Sequence, residues 1–298
     1  MAYRAGMVAM LGKPNVGKST LINALVGHKV SIVSNKPQTT RRRVLGIVQG
    51  ADYQVALIDT PGIHEPHTVL GRAMVEAART ALSDIDAVLY VADVSKKPDD
   101  TDKQIARLIS PDKVPLAPII LCLNKMDLLA AEMVNENVEA YCKLFGTENY
   151  MLTTATKGHN LDKVLDLVLE KMPEGEPLFP ADEYTDQPLR FMAAEIIREK
   201  VLQATRQEVP HATAVVVETW EEEETGLVRI EATIVVEKQG QKAILIGKQG
   251  QFLKSVGTAA RLEMQILLEK PVYLALYVKV REDWRMNPRM LHELEYTE

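Results

Sequence analysis

Cysteine is scarce in this chain of 298 residues, with only Cys122 and Cys142. Neither belongs to a C-x-x-C pair, and no histidine stands at zinc-ligand spacing from them. That excludes a disulfide framework and a zinc ribbon, and both read as reduced thiols of a cytosolic protein. No apolar run reaches transmembrane length. The N-terminal MAYRAGMVAMLG holds one arginine and a short apolar run. It leads straight into GKPNVGKS, so it reads as a buried first strand and not as a signal peptide. Internal repeats and low-complexity tracts are missing. So is any excess of positive charge: the formal net charge is −6, which taken alone argues against a generic nucleic-acid binder. A basic face has to be sought segment by segment.

What the chain does have is alternation. Apolar runs at residues 5–11, 44–50, 53–59, 86–93, 117–124 and 149–155 read as strands. Between most of them lie helix-length amphipathic stretches: KSTLINALVG, VLGRAMVEAARTAL, DTDKQIARLI, VNENVEAYCKLF and LDKVLDLVLEKM. Strands alternating with helices predict an α/β domain over residues 1–172, a mostly parallel sheet with helices on both faces. The second and third strands are close enough to pair antiparallel. Residues 173–188, PEGEPLFPADEYTDQP, hold four prolines and no apolar period, and are expected to be a linker. Beyond it, residues 189–298 read as helix, strand, strand, short helix, turn, long helix, strand, a compact α+β domain. The acidic run 221–224 is expected at the tip of a hairpin.

Gly12-Lys13-Pro14-Asn15-Val16-Gly17-Lys18-Ser19, followed by Thr20, matches G-x-x-x-x-G-K-[ST], and it sits after a strand and before a helix, as that motif must. The glycines let backbone N–H groups approach phosphates, and the helix N-terminus favours their charge. Lys18 is expected to reach the β- and γ-phosphates and Ser19 to ligate Mg²⁺. Asn124-Lys125-Met126-Asp127 ends another apolar run. A carboxylate at Asp127 can accept hydrogens from guanine N1–H and its exocyclic amine; adenine would leave it unpaired. Asn124 is expected to tie this loop to the P-loop, and the Lys125 stem to cover the base. Thr154-Ala155-Thr156 would back the guanine with N–H groups. The bound species expected are therefore GTP and GDP.

Asp59-Thr60-Pro61-Gly62 ends the third strand. Asp59 is placed to hold Mg²⁺ through water, and the Gly62 N–H to sense a γ-phosphate. Within PQTTR either Thr39 or Thr40 should close over the metal, with Thr40 favoured. Both segments would relax on loss of that phosphate. Ile63 stands where many small GTPases carry a water-orienting glutamine, so intrinsic hydrolysis should be slow or use another device. Arg41, Arg42 and Arg43 are candidates for a missing positive charge, but read better as a solvated basic patch or an RNA or domain contact. His64 and His67 bracket a proline in the expected switch, and a metal there is not expected.

Ile246-Gly247-Lys248-Gln249-Gly250 is a G-x-x-G turn between two helices, weak evidence by itself. Two facts strengthen it. The order of flanking elements is that of a KH domain, and residues 238–262 contain Lys238, Lys242, Lys248, Lys254 and Arg261 with no acid. That window lies in a region, 181–298, with fifteen Lys+Arg against twenty Asp+Glu. A turn with so little side-chain bulk lets a sugar–phosphate backbone pass, and the lysines add salt-dependent affinity.

GKPNVGKST, PQTTRRR, DTPG, NKMD, the TAT segment, GKQGQFLKSVGTAAR and the tail VYLALYVKVREDWRMNPRMLHELEY together resemble the Era family among the translation-factor-related GTPases, over essentially the whole chain. The resemblance implies a P-loop GTPase domain followed by a type II KH domain. It implies a GTP-hydrolysing switch that binds the 3′ end of small-subunit (16S) ribosomal RNA and helps assemble the small ribosomal subunit. It implies a cytoplasmic protein with some peripheral contact at the inner face of the membrane. It casts Lys18, Asn15 and Thr40 as catalytic, Asn15 being a residue that permits K⁺ to replace an arginine finger. Thr154 stands where a serine is common and keeps the backbone donors. A monomer is expected, since no apolar surface stripe is left over. The competing readings are a related GTPase whose C-terminal domain binds a protein, and an RNA-binding module with a vestigial nucleotide site. The complete set Lys18, Ser19, Asp59, Asn124 and Asp127 argues against the last.

Overall fold

The structure, a computed structural model, describes residues 2–63, 65–110 and 117–297; His64 of the histidine pair lies outside them. Contacts divide the chain into two compact units. The first comprises residues 1–33, 40–66 and 74–186, and the second residues 34–39, 67–73 and 187–298.

The first unit is built on a six-stranded sheet of β1 (Arg4–Leu11), β2 (Val44–Gln49), β3 (Tyr53–Asp59), β4 (Ala87–Asp93), β5 (Ile119–Asn124) and β6 (Tyr150–Leu152), in the order β2-β3-β1-β4-β5-β6. Only β2 runs antiparallel to its neighbour. The helices are α1 (Lys18–Val26), α2 (Val69–Thr80, whose residues 69–73 are counted with the second unit), α3 (Asp100–Leu108), α4 (Val134–Phe145) and α5 (Leu161–Leu169). From β1 the chain moves outward one way to β3 and the other way to β4, so the crevice of this doubly wound sheet opens at the carboxyl end of β1. Central strands of a covered parallel sheet are apolar on both faces. β4 shows it: Ala87 to Ala92 are all buried, and Val88, Tyr90 and Ala92 join Leu121, Leu123, Tyr141 and Phe145 in one core cluster.

Residues 173–186 run along the sheet and do not hang free. Ile47 N–H donates to the Tyr184 carbonyl at 2.9 Å, Thr185 Oγ1 to the Leu45 carbonyl at 2.7 Å, and the buried Gln54 amide bonds the backbone of Leu178 and Phe179. Two backbone groups of edge strand β2, the Ile47 N–H and the Leu45 carbonyl, are thereby satisfied, which blunts an edge that could pair with another chain.

The second unit carries a three-stranded sheet, β7 (Ala214–Glu222), β8 (Val228–Val236) and β9 (Val272–Val280), with β7–β8 antiparallel and β8–β9 parallel. Alternate residues Val228, Ile230, Ala232, Ile234 and Val236 face a core shared with α6 (Leu189–Ala204), α7 (Gln239–Ile246) and α8 (Gln251–Leu268). This helix–strand–strand–helix–helix–strand order matches the expectation. The hairpin tip is shorter than expected, because Glu221 and Glu222 pair with Arg229 and Val228. The tail, left without structure by the sequence reading, ends in α9 (Pro288–Glu293), capped by Asn287. Trp284 is fully buried, its Nε1 donating to the Ala212 carbonyl at 2.9 Å. No helix among the described residues is long and apolar enough to cross a membrane.

Candidate functional site

The first half of the site is the turn from β1 into α1. Gly12 has φ 155°, and a Cβ there would lie 2.3 Å from the Val91 carbonyl of β4; Gly17 has φ 107°, and a Cβ there would lie 2.2 Å from Asn124 Nδ2. Both glycines are required for the loop to close on its neighbours. Lys18 is buried, and its Nζ donates to the carbonyls of Gly12 at 3.2 Å and Lys13 at 3.3 Å. Burial pulls its pKa down, and the Asp59 charge opposes that. These loop carbonyls hold the ammonium where an incoming anion would find it.

Asp59, at the carboxyl end of β3, is fully buried. Burial pushes its carboxyl upward, against Lys18 and three hydroxyls. Its Oδ2 accepts from Ser19 Oγ at 2.8 Å, Ser31 Oγ at 2.9 Å and Thr40 Oγ1 at 3.2 Å, while Ser19 and Thr40 lie 2.9 Å apart. Its Oδ1 is buried with no hydrogen-bond partner among the described residues. Hard oxygen donors around an unsatisfied carboxylate oxygen suit a small divalent cation. Thr40 joins this cluster. Thr39 does not: its Oγ1 donates to the Lys36 carbonyl at 2.7 Å, and its own carbonyl accepts from the buried Arg198 of α6. Thr60 points its hydroxyl to the Met10 carbonyl at 2.8 Å, and Pro61 is buried. Gly62 packs so close to the P-loop that a Cβ would lie 2.8 Å from Pro14 N. Ile63 is buried among Leu11, Val88 and Tyr90. Of the three arginines, Arg41 is buried, Arg42 half-buried and Arg43 exposed. Of the readings offered for these arginines, a solvated patch does not hold for Arg41, which is buried.

The second half lies at the ends of β5 and β6. Asn124 Nδ2 donates to the Val16 carbonyl at 2.9 Å, and its Oδ1 accepts from Ala155 N–H at 3.0 Å and Thr153 Oγ1 at 3.3 Å. Three loops are thus pinned by one buried amide. Lys125 sits in the left-handed region at φ 63°, and its Nζ meets Asp93 Oδ2 at 2.9 Å. Met126 N–H donates to the Thr153 carbonyl at 2.9 Å. Asp127 is exposed; Lys157 Nζ lies 3.0 Å from Oδ2 and holds its carboxyl below the usual range, and Thr154 Oγ1 reaches Oδ1 at 3.4 Å. Thr156 is exposed in the same turn.

In the second unit, the G-x-x-G turn joins α7 to α8. Gly247 has φ 70°, and a Cβ there would lie 2.6 Å from Phe252 Cβ; Gln249 and Gly250 are also left-handed. Lys248, Gln249 and Lys254 are exposed, while Ile246 and Arg261 are half-buried.

Sequence reasoning missed Ser31, Asp93 and Lys157. Ser31 lies in a loop with no periodicity to flag it. Asp93 ends an apolar strand in the way Asp59 does, and that position was a usable signal. Among the described residues no cluster of three His, Cys, Asp or Glu could hold a metal, and both cysteines are free thiols.

Comparison with known proteins gives the same picture. Residues 7–125 match the family model of the 50S ribosome-binding GTPase, and residues 208–285 that of the KH domain. The GTPase Era of Heliobacterium modesticaldum is 43% identical over 99% of this chain and 98% of its own length. That of Trichlorobacter lovleyi is 46% identical at the same coverage. A crystal structure of Era in complex with MgGDPNP and nucleotides 1506–1542 of 16S ribosomal RNA is 41% identical, with a TM-score of 0.95 over 99% of this chain and 100% of that one. A point variant of Aquifex aeolicus Era bound to GDP·AlF4⁻ gives 0.94 at 41% identity and the same coverage. With an all-oxygen cluster at the P-loop, a G-x-x-G turn in the second unit and relatives 43–46% identical over 99% of its length, the chain belongs to the Era family of GTPases.

Proposed function

We propose that this chain is a GTP-hydrolysing switch that binds the 3′ end of 16S ribosomal RNA through its KH domain and assists assembly of the small ribosomal subunit. The observation that carries the switch is the hydroxyl cluster on Asp59. Thr40, from the segment between α1 and β2, and Ser19, from the P-loop, meet on one carboxylate whose other oxygen is unsatisfied. A segment that reaches the nucleotide site through two hydroxyls, those of Ser31 and Thr40, is well suited to report which nucleotide is there.

In this reading Ser19, Thr40 and Asp59, the last through water, hold Mg²⁺, which when bound neutralises charge on the β- and γ-phosphate oxygens. Lys18 exchanges the two loop carbonyls for those phosphates. The Gly62 N–H faces the third phosphate. Asp127 reads guanine, Lys125 covers it, and Thr154, Ala155 and Thr156 back it. Ile63 supplies no hydrogen bond to water, so turnover is slow. Asn15, exposed and left-handed at φ 63°, is the proposed ligand of a K⁺ ion in the place of an arginine finger. Ile246, Gly247, Lys248, Gln249, Gly250, Lys254 and Arg261 take the RNA, the turn admitting its backbone and the cations adding charge attraction. The work is cytoplasmic, and any membrane contact is peripheral.

The test is the affinity of a 16S 3′-end oligonucleotide with GDP bound and with a non-hydrolysable GTP analogue bound. Tighter binding with the analogue supports a switch on RNA. Equal binding removes the coupling, and no binding in either state removes the RNA.

A further inference from the structure

Behind the P-loop lies a charged network that the nucleotide chemistry leaves unused. Asp102, in the first turn of α3, has a fully buried side chain. Its carboxylate accepts from three directions: Tyr90 Oη at 2.5 Å on Oδ1, and Lys13 Nζ at 2.6 Å and Asp99 N–H at 2.7 Å on Oδ2. Lys13 also reaches Asp99 Oδ2 at 2.8 Å, but that carboxylate is 59% exposed. An exposed pair is screened by water and contributes little; a buried, fully hydrogen-bonded one fixes geometry and is costly to break from one side. Lys13 is therefore held mainly by Asp102. Burial alone would lower the Lys13 pKa, but the bonds to Asp102 and Asp99 outweigh it and raise the net value. The ammonium stays charged across the physiological range.

Lys13 is the second residue of the P-loop. Its carbonyl is one of the two that receive Lys18 Nζ. Its neighbours pack on the DTPG segment: Ile63 N–H donates to the Gly12 carbonyl at 3.3 Å, and Gly62 lies against Pro14. The first half of the loop, residues 12–14, is thus the half that meets the proposed sensor of the third phosphate. The second half, residues 15–19, leads into α1 and carries Lys18 and Ser19, which in the reading above serve both the β- and γ-phosphates, Ser19 through Mg²⁺, and Lys18 is itself received by the Lys13 carbonyl.

We propose that Asp102 is a positioning residue for nucleotide discrimination: by clamping Lys13 it sets the first half of the P-loop against Gly62, so that its loss weakens GTP more than GDP. This rests on the nucleotide site proposed above. A structural alternative exists on the same side chain, because Asp102 also closes the capping box of α3 with Asp99. A cap alone would change stability without changing the ratio of the two affinities.

The experiment measures affinity for a fluorescent GDP and for a fluorescent non-hydrolysable GTP analogue, together with the thermal midpoint, on the full chain. The variants are Asp102→Asn, Lys13→Met and the double variant. Lys13→Met cuts the clamp and leaves the capping box, so it carries the test if Asp102→Asn folds poorly. The expected result is a loss of about ten-fold in affinity for the GTP analogue and less than about three-fold for GDP in each single variant, with the double variant no worse than the singles because both cut one link. Equal losses for the two nucleotides in Lys13→Met, or a lowered midpoint with an unchanged affinity ratio in Asp102→Asn, overturn the positioning role. Wild-type protein that binds neither nucleotide overturns the site reading itself, a distinct outcome.

Discussion

The side-chain amide of Asn124 donates to the backbone carbonyl of Val16 at 2.9 Å, joining the end of β5 to the loop that precedes α1. Its oxygen accepts from Ala155 N–H, so one buried residue registers the P-loop, the loop of residues 124–127 and the turn of residues 154–156. Asn124→Ala leaves a buried carbonyl and a buried N–H unsatisfied, each at about 1–3 kcal/mol. The expected outcome is a protein that folds with a lowered thermal midpoint and binds GDP roughly ten- to hundred-fold more weakly. Calorimetric titration with GDP checks it. Unchanged affinity would mean the three loops hold register without the amide.

Most of the first unit was legible from the sequence because its signals are local. Each strand is an apolar run, each helix has a 3.6-residue period, and a phosphate loop requires its glycines in a fixed order. The loop proposed to read guanine was visible for the same reason: Asn124 and Asp127 lie in one tetrapeptide. Ser31 on Asp59 and Asp102 on Lys13 were not, since each joins residues whose proximity arises only when β3 or α3 packs beside the P-loop. The docking of residues 178–185 on the edge of the sheet was equally hidden. Prolines remove backbone donors and mask the strand pattern, so the segment reads as a linker although the backbone of Leu178, Phe179 and Tyr184 is bonded to the sheet.

Lys125 and Asp93 supply a prediction on pH. Burial raises the Asp93 carboxyl, but the bonds from Lys125 and Ser95 outweigh it, and the net pKa is lowered. A carboxylate with a folded pKa below its unfolded one contributes stability above the ordinary carboxylate range and loses it as pH falls through the folded value. Lys125→Met removes the part of that contribution that comes from the lysine, the bonds from Ser95 remaining. The difference in unfolding free energy between wild type and Lys125→Met should be full at pH 7 and shrink as pH drops below about 4. Urea unfolding at several pH values reads it; a constant difference would locate the effect in packing of the lysine stem.

Tyr90 and Tyr141 are both buried, yet their hydroxyls differ. Tyr90 Oη donates to Asp102, while Tyr141 Oη has no partner among the described residues. Removing an unsatisfied buried hydroxyl costs little, whereas removing a donor to a buried carboxylate leaves that charge short of a bond. Tyr141→Phe should therefore be neutral or stabilising, and Tyr90→Phe should lose about 1–3 kcal/mol. Paired thermal melts decide it, and an equal loss in both would show that the Tyr141 hydroxyl is bonded in solution.

The RNA reading is best tested where folding is not at stake. Gly247 is a poor probe, since a side chain there collides with Phe252 and meets a left-handed backbone, so loss of binding would follow from misfolding alone. Lys248 and Lys254 are exposed and lie on either side of the turn into α8. Each phosphate contact releases condensed counterions, so removing one cation should weaken binding and flatten the dependence of log affinity on log salt by about 0.7 per contact for a single strand. Lys248→Ala and Lys254→Ala should each bind the 16S 3′-end oligonucleotide more weakly at low salt, with GDP affinity and thermal midpoint unchanged. Their affinities should converge on wild type as salt rises, because the electrostatic part of the binding is what each has lost. A salt slope identical to wild type in both variants would take the phosphate backbone away from this turn and leave the C-terminal unit free for a protein partner.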